Sequence, residues 1–103
     1  MAVAFVQEFK IDADDRSTTN YDAIIQKLDL ERNPPEGLIV HTAGWDEEAG
    51  VFRILDVWAS REDGDRFLGE RLQPLLAEGP ANPENAAMPD RDGSYDLHDV
   101  FRP

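Results

Sequence analysis

One histidine and one aspartate, on two neighbouring predicted strands, are the residues of this sequence best placed for chemistry. His41 lies in the run Leu38 to Trp45 and Asp56 in the run Val51 to Ala59, and both runs have the composition of β-strands. If residues 47–50 form a four-residue loop, with its glycine in the left-handed conformation that glycine adopts cheaply, His41 falls opposite Asp56.

A carboxylate across the strand pair would hold the imidazole in one tautomer and favour its charged form. Inside a closed apolar cavity, such a pair can take a proton from a phenol, an enol or a carbon next to a carbonyl group. The same two side chains could instead only satisfy each other in a half-buried sheet face. The sequence leaves both interpretations open.

The same register divides the hairpin into two faces, because strand side chains alternate between the two sides of a sheet. The first face is predicted to contain the cross-strand pairs Trp45–Phe52, Ala43–Ile54, His41–Asp56 and Ile39–Trp58. The second face is mostly aliphatic and suits packing under helices; it contains Leu38, Val40, Thr42, Val51, Arg53, Leu55 and Val57.

The aromatic first face is too apolar to remain in contact with water. We expect a second copy of the chain to cover it, which predicts a homodimer in which two sheets face each other. The candidate substrate contacts on or near this face are Trp58, Trp45, Phe52, Ile39, Gln7 and His98.

The remaining elements are predicted from periodicity and from capping residues. Residues 2–11 alternate as a first strand, and Tyr21, Ile24, Ile25 and Leu28 form the apolar stripe of a helix. Residues 60–63 resemble the capping box of a second helix, which Pro74 should kink or divide. Residues 95–101 alternate as a last strand.

The predicted order is therefore βαββαβ, which gives a ferredoxin-like α+β fold with a four-stranded antiparallel sheet. With 103 residues the chain is expected to be a single domain, 1–103. The segment 79–94 is a long predicted loop, and a lid, an arm that contacts a partner, or a surface loop without a role all fit its length.

Composition excludes several classes of function. A formal net charge of −12 disfavours nucleic acid and anionic membranes as partners. The absence of cysteine excludes thiolate catalysis and Cys-ligated zinc, and the two histidines match no compact metal motif. No apolar run approaches the ~20 residues of a membrane span. The first residues do not resemble a signal peptide, so we expect a cytoplasmic protein.

The run Asp56-Val-Trp58-Ala-Ser60-Arg-Glu62, followed by Phe67, resembles a pattern of the dimeric α+β barrel superfamily. The likeness is to its antibiotic-biosynthesis-monooxygenase-like domains, in which a strand that ends in Trp-x-Ser precedes an acidic helix start. The resemblance implies a homodimeric barrel. The group includes cofactor-independent oxygenases, isomerases, haem-degrading enzymes and proteins without a known role.

The haem-degrading branch can be compared residue by residue. Trp58 matches the tryptophan that distorts haem in that branch, and Gln7 lies near the position of its asparagine. The proximal histidine of that branch belongs on the second helix, and residues 63–78 contain none. Haem chemistry is therefore not expected, and no other cofactor is implied.

Two functions from different classes follow. The first is a small cofactor-independent enzyme, of the monooxygenase or isomerase type, that acts on a hydrophobic carbonyl or phenolic compound. His41 would be its base, Asp56 would orient the base, and Trp58 would form a wall of the pocket. The second is a non-enzymatic homodimeric barrel that binds a small molecule or only supports assembly. An open cavity would favour the first, and a filled interior would favour the second.

Overall fold

The computed structural model describes residues 1–11, 16–81 and 88–103. Its four strands form one antiparallel sheet in the spatial order β2-β3-β1-β4, with β1 at Val3–Lys10, β2 at Leu38–Asp46, β3 at Val51–Trp58 and β4 at Arg91–Asp96. Helix α1, Thr19–Leu28, joins β1 to β2, while α2, Arg61–Phe67, and α3, Gln73–Ala77, precede β4. The ferredoxin-like prediction is confirmed. None of the helices in these ranges is long and apolar enough to cross a membrane.

The β2–β3 hairpin has the predicted register over most of its length. His41 pairs with Asp56, and Gly50 adopts a φ of 73° in the turn. At the far end, a β-bulge makes Ile39 an extra residue in β2, so that Leu38 pairs with Trp58. The prediction that Ile39 lies opposite Trp58 is therefore wrong, because a bulge reverses the alternation of side chains beyond it.

The aromatic face of the sheet lies under the helices. Trp58 is 1% exposed, and its ring packs 5.1 Å from that of Phe67 on α2 and 6.4 Å from that of Phe5 on β1. Tyr21 of α1 meets the ring of Phe52 edge-on at 5.6 Å. The prediction that a second copy covers this face is wrong, because the apolar stripes of the chain's own helices occupy it.

The opposite side of the sheet, here called the open face, carries small and aliphatic side chains. Its apolar members are Ala4, Val6, Val40, Val51, Leu55, Val57 and Tyr95. Val40 is 43% exposed and Tyr95 is 45% exposed. Arg53 also lies on this face, where its guanidinium is 2.7 Å from a Glu8 carboxylate oxygen and 2.8 Å from one of Asp46. The positive charge of Arg53 is therefore balanced by two carboxylates of the same sheet.

The segment after β3 begins and divides as predicted. The Oγ atom of Ser60 accepts a hydrogen bond from the Asp63 N–H at 3.2 Å, which caps α2. The chain then forms a π-helical turn at Leu68–Leu72, in which the Gln73 N–H reaches back to the Leu68 carbonyl. Pro74 has no N–H with which to continue the regular helical ladder, so the helix divides next to it.

The last strand begins earlier than its side chains suggest. It is β4, Arg91–Asp96, and not residues 95–101, so the predicted loop 79–94 is also too long. Backbone hydrogen bonds to β1 hold this strand, and all six of its residues are exposed and mostly polar. An edge strand with few buried side chains needs little alternation of apolar and polar residues. The sequence therefore did not predict a strand at this position. Residues 82–87 of the predicted loop lie outside the described residues.

Gly64 sets how closely α2 approaches the sheet. A Cβ atom built there would lie 2.6 Å from Phe5 Cζ and 3.1 Å from Trp58 Cδ1. We expect Gly64→Ala to lower the free energy of unfolding by about 1–3 kcal/mol, since both rings must shift. Gly69→Ala is the matched control, because a Cβ there meets nothing within 4 Å. Urea denaturation of both variants measures the difference, and equal stabilities would contradict the tight contact.

Candidate functional site

A cavity of about 1070 Å³ lies between the aromatic face of the sheet and the helices, large enough for a multi-ring ligand. Its sheet wall includes Phe5, Gln7, Phe9, His41, Trp45, Phe52, Ile54, Asp56, Trp58 and Asp92. Its helical wall includes Tyr21, Ile24, Ile25, Leu28, Phe67, Leu68 and Leu72. Apolar side chains predominate, so the few polar groups that reach the cavity determine what it can bind.

Three polar side chains form a continuous hydrogen-bonded chain in this wall. The Nδ1 atom of His41 on β2 is hydrogen-bonded to Oδ1 of Asp56 on β3. The Nε2 atom of the same ring lies 2.7 Å from Oη of Tyr21 on α1. The His41 and Asp56 side chains are only 20% and 18% exposed. The tyrosine and imidazole rings are nearly parallel, with an interplanar angle of 10°.

The direction of these hydrogen bonds follows from the donors available. An ionised carboxylate only accepts, so Nδ1–H of His41 donates to Asp56. Burial raises the pKa of the Tyr21 phenol above its usual 10.0, and the nearby negative charges of Asp56 and Asp22 raise it further. Tyr21 therefore keeps its proton at neutral pH and donates it to Nε2 of His41 whenever that nitrogen is unprotonated.

This arrangement can receive a proton from the cavity. Its basic atom is His41 Nε2, and the phenol of Tyr21 is placed to pass a proton to that atom. Asp56 fixes the orientation of the ring through the other nitrogen and offsets the positive charge that protonation creates. The geometry has the form of a proton relay to His41, with the partly buried carboxylate of Asp56 behind it.

Trp58 brings an unused donor to the same wall. Its Nε1 atom is buried and has no hydrogen-bond partner among the described residues. A buried donor without a partner typically costs about 1–3 kcal/mol, so such groups are rare in folded proteins. A ligand oxygen that reaches Nε1 would remove that cost.

At the hairpin end of the cavity, the guanidinium of Arg16 packs on the ring of Trp45. Trp45 is 39% exposed, and the guanidinium of Arg16 lies 5.1 Å from the centre of its ring. The same guanidinium makes two hydrogen bonds to the Glu47 carboxylate, one of them at 2.9 Å. The ion pair raises the pKa of Arg16 and lowers that of Glu47.

The structure brings together most of the residues selected from the sequence. His41, Asp56, Trp58, Trp45, Phe52 and Gln7 all line the cavity. His98 does not, because it follows the end of β4 and is exposed. Ile39 does not line it either, because the bulge removes it from the aromatic alternation. The structure therefore does not place either residue at the cavity.

Tyr21 is the residue that sequence reasoning missed. Its place in the apolar stripe of α1 indicates a core residue and predicts no role for its hydroxyl group. The available signal was chemical, since a tyrosine on a buried stripe needs a partner for its O–H. In the part of the chain that the structure describes, no three His, Asp or Glu side chains are grouped so as to hold a metal ion.

Comparison with known proteins adds evidence on the fold. No family model and no curated protein matches the chain. Rv0793 from Mycobacterium tuberculosis superimposes with a TM-score of 0.69 at 16% identity, over 99% of this chain and 100% of that one. SnoaB, a cofactor-independent oxygenase from Streptomyces nogalater, gives a TM-score of 0.65 at 13% identity, over 97% and 96%.

A third structure, from Chloroflexus aurantiacus J-10-fl, carries the name of an antibiotic biosynthesis monooxygenase. It gives a TM-score of 0.63 at 16% identity, over 99% of this chain and 98% of that one. The chain therefore has the fold that these three proteins share, and this is the fold that the resemblance predicted. At these identities the likeness establishes the fold and no activity.

The electrostatic coupling of Tyr21 to Asp56 can be measured by titrating the ultraviolet absorbance of tyrosinate in a Tyr95→Phe background, which leaves Tyr21 as the only tyrosine. We expect a pKa above 10.0. Asp56→Asn should lower this pKa without restoring the ordinary value, because burial is the larger cause. A folded variant with an unchanged Tyr21 pKa would contradict the coupling.

The raised pKa also has a consequence for stability. Because the folded state holds the Tyr21 proton more tightly than the unfolded chain, this contribution is fully present below the ordinary value of 10.0. It is lost as the pH rises through the folded-state pKa. We expect alkaline unfolding of the Tyr21→Phe variant, followed by circular dichroism, to lack this component.

Proposed function

We propose that the protein is a small cofactor-independent enzyme that removes a proton from a hydrophobic carbonyl or phenolic compound bound in the cavity. The observation that carries this proposal is the chain from Tyr21 through His41 to Asp56 in the cavity wall. A pair that only satisfied itself in a packed core would need neither an adjoining cavity nor a third polar member.

The proposed step moves one proton and leaves the electron pair on the substrate. An acidic C–H or O–H group lies against the oxygen of Tyr21, which accepts its proton. The phenol gives its own proton to Nε2 of His41. The products are an enolate or phenolate and an imidazolium, which Asp56 stabilises through Nδ1–H.

The surrounding wall suits such an anion. A rotation of the Trp58 ring would bring its Nε1–H, which is buried and has no partner among the described residues, to the oxygen on which negative charge develops. Aromatic rings on both walls fit a flat skeleton. An isomerase would return the proton to another carbon, whereas an oxygenase would let the anion react with dioxygen. The fold shared with SnoaB, a cofactor-independent oxygenase, favours the second of these outcomes.

The alternative is a homodimeric barrel that binds a small molecule without turnover. The apolar lining of the cavity would serve that role equally well. A barrel that is packed shut, however, fits poorly with a cavity of about 1070 Å³. Replacing His41 separates binding from turnover, because only turnover requires His41 as a base.

We also propose that the protein is a homodimer that assembles through the open face. Val40 and Tyr95 leave this face partly exposed at 43% and 45%, while the described helices lie on the other side of the sheet. Ala4 and Val6 at its centre are already 1% and 3% exposed. A second copy of the same face would remove the exposed parts of Val40 and Tyr95 from water.

The proposed activity is tested by deuterium exchange next to the carbonyl group of fused-ring ketones such as 2-tetralone, followed by NMR in D₂O. We expect the wild-type protein to accelerate exchange and His41→Ala to reduce the acceleration by about 10²–10⁴-fold, the usual contribution of a general base. Oxygen uptake measured on the same compounds separates oxygenation from isomerisation.

His98→Ala is the matched control, since it removes the other histidine from an exposed position outside the cavity. Its exchange rate should equal that of the wild type. Full exchange activity in a folded His41→Ala variant would eliminate His41 as the base. Tight binding of the ketones without accelerated exchange would instead support the binding barrel.

The proposed dimer is tested by light scattering. The wild-type particle should have twice the chain mass of 11.6 kDa. Val40→Glu should yield monomers, because a single copy tolerates a carboxylate at this half-exposed position and a buried interface does not. Gln26→Glu makes the same charge change on an exposed position of α1 and should remain dimeric. A monomeric wild type would refute the interface.

A further inference from the structure

Beyond the proton relay, the cavity has a second group of polar side chains on its sheet wall. Gln7 of β1 and Asp92 of β4 are directly paired across the two strands, and both line the cavity. Neither side chain makes a hydrogen bond or an ion pair within the described part of the chain. Two adjacent polar groups that face a cavity without protein partners are available to a ligand.

The neighbours of Asp92 show that its lack of a partner is particular to this position. Three polar residues, Asp92, Ser94 and Asp96, alternate along the helix-facing side of β4. Arg61 of α2 donates hydrogen bonds to Ser94 and to Asp96, the latter at 3.4 Å. Only Asp92, the member that lines the cavity, is left without a cation among the described residues.

The charge of the cavity favours one kind of ligand group. Its charged residues among those described are Asp56, Asp92 and Lys10. The two carboxylates outnumber the single amine of Lys10, whose Cβ atom points towards the open face. A carboxylate and an amide oxygen then remain as acceptors at this end, in a protein of net charge −12, which attracts cations and repels anions.

We infer that Gln7 and Asp92 form a second subsite of the cavity, which binds a protonated amine at the end of the ligand remote from His41. This inference rests on the proposed function, which places the reacting oxygen or carbon at the Tyr21–His41 end. The substrate is then a flat hydrophobic carbonyl or phenolic compound that carries a basic amine. Carboxylate-bearing analogues are rejected.

The sheet geometry sets the length of such a ligand. His41 and Asp92 lie on the two outer strands and are offset by two residues in register. With strands ~4.8 Å apart and a rise of ~3.4 Å per residue, their Cα atoms lie about 16 Å apart in a flat sheet. Hydrogen bonds of ~2.8 Å at both ends leave roughly 8–10 Å between the polar atoms of the ligand. A two-ring skeleton has that length.

The test compares three ligands on one skeleton: 6-(aminomethyl)-2-naphthol, 6-(hydroxymethyl)-2-naphthol and 6-hydroxy-2-naphthoate. Calorimetry with the wild-type protein should give the highest affinity for the amine, at least about tenfold above that of the carboxylate. Asp92→Asn should remove the preference for the amine over the alcohol. Gln7→Leu should weaken binding of both the amine and the alcohol.

Asp96→Asn is the control, since it changes the net charge equally on the same face of β4 but outside the cavity. It should leave all three affinities unchanged. Equal affinities for amine and carboxylate, an equal loss in both Asp variants, or no binding of any of the three compounds would overturn the subsite. Because calorimetry does not require turnover, the subsite can fail while His41-dependent exchange persists, or persist where exchange fails.

Discussion

The site depends on how two polar side chains are satisfied beneath a layer of apolar rings. His41 and Asp56 are about one-fifth exposed, and burying either one alone would be costly. The hairpin register puts them side by side, and α1 brings Tyr21 to the remaining ring nitrogen. Since each member needs the next, the hydrogen bonds fix the position of the first helix over the sheet as well as the chemistry of the wall.

The same covering layer explains why a cavity remains. Gly64 lets α2 approach the sheet beside Phe5 and Trp58, so the apolar end closes tightly. Towards the other end, side chains from α1 and the π turn leave room that no described residue fills. On the sheet wall, polar groups lie at two places, the His41–Asp56 pair with Tyr21 bound to it and the Gln7–Asp92 pair. The wall between them is aromatic and aliphatic, which is the distribution expected for a flat ligand with two polar ends.

The order of elements and the hairpin register could be predicted from the sequence because local signals determine them. Gly50 sets the turn, and the turn places His41 opposite Asp56. The side of the sheet that the helices cover could not be predicted, because both faces of the hairpin are apolar and periodicity does not distinguish them. No residue type near Ile39 indicates the bulge. The contact of Tyr21 with His41, twenty positions along the chain, depends on the tertiary structure and has no local signal.

The most direct test of the relay is the protonation pattern of the His41 ring, read from the nitrogen chemical shifts at a pH well above the ordinary imidazole range. The hydrogen bonds described here predict the tautomer with the proton on Nδ1, towards Asp56, and with Nε2 accepting from Tyr21. Tyr21→Phe should shift the Nε2 signal and leave the tautomer unchanged. A ring protonated on Nε2 would contradict the account, because His41 would then have no basic atom facing the cavity.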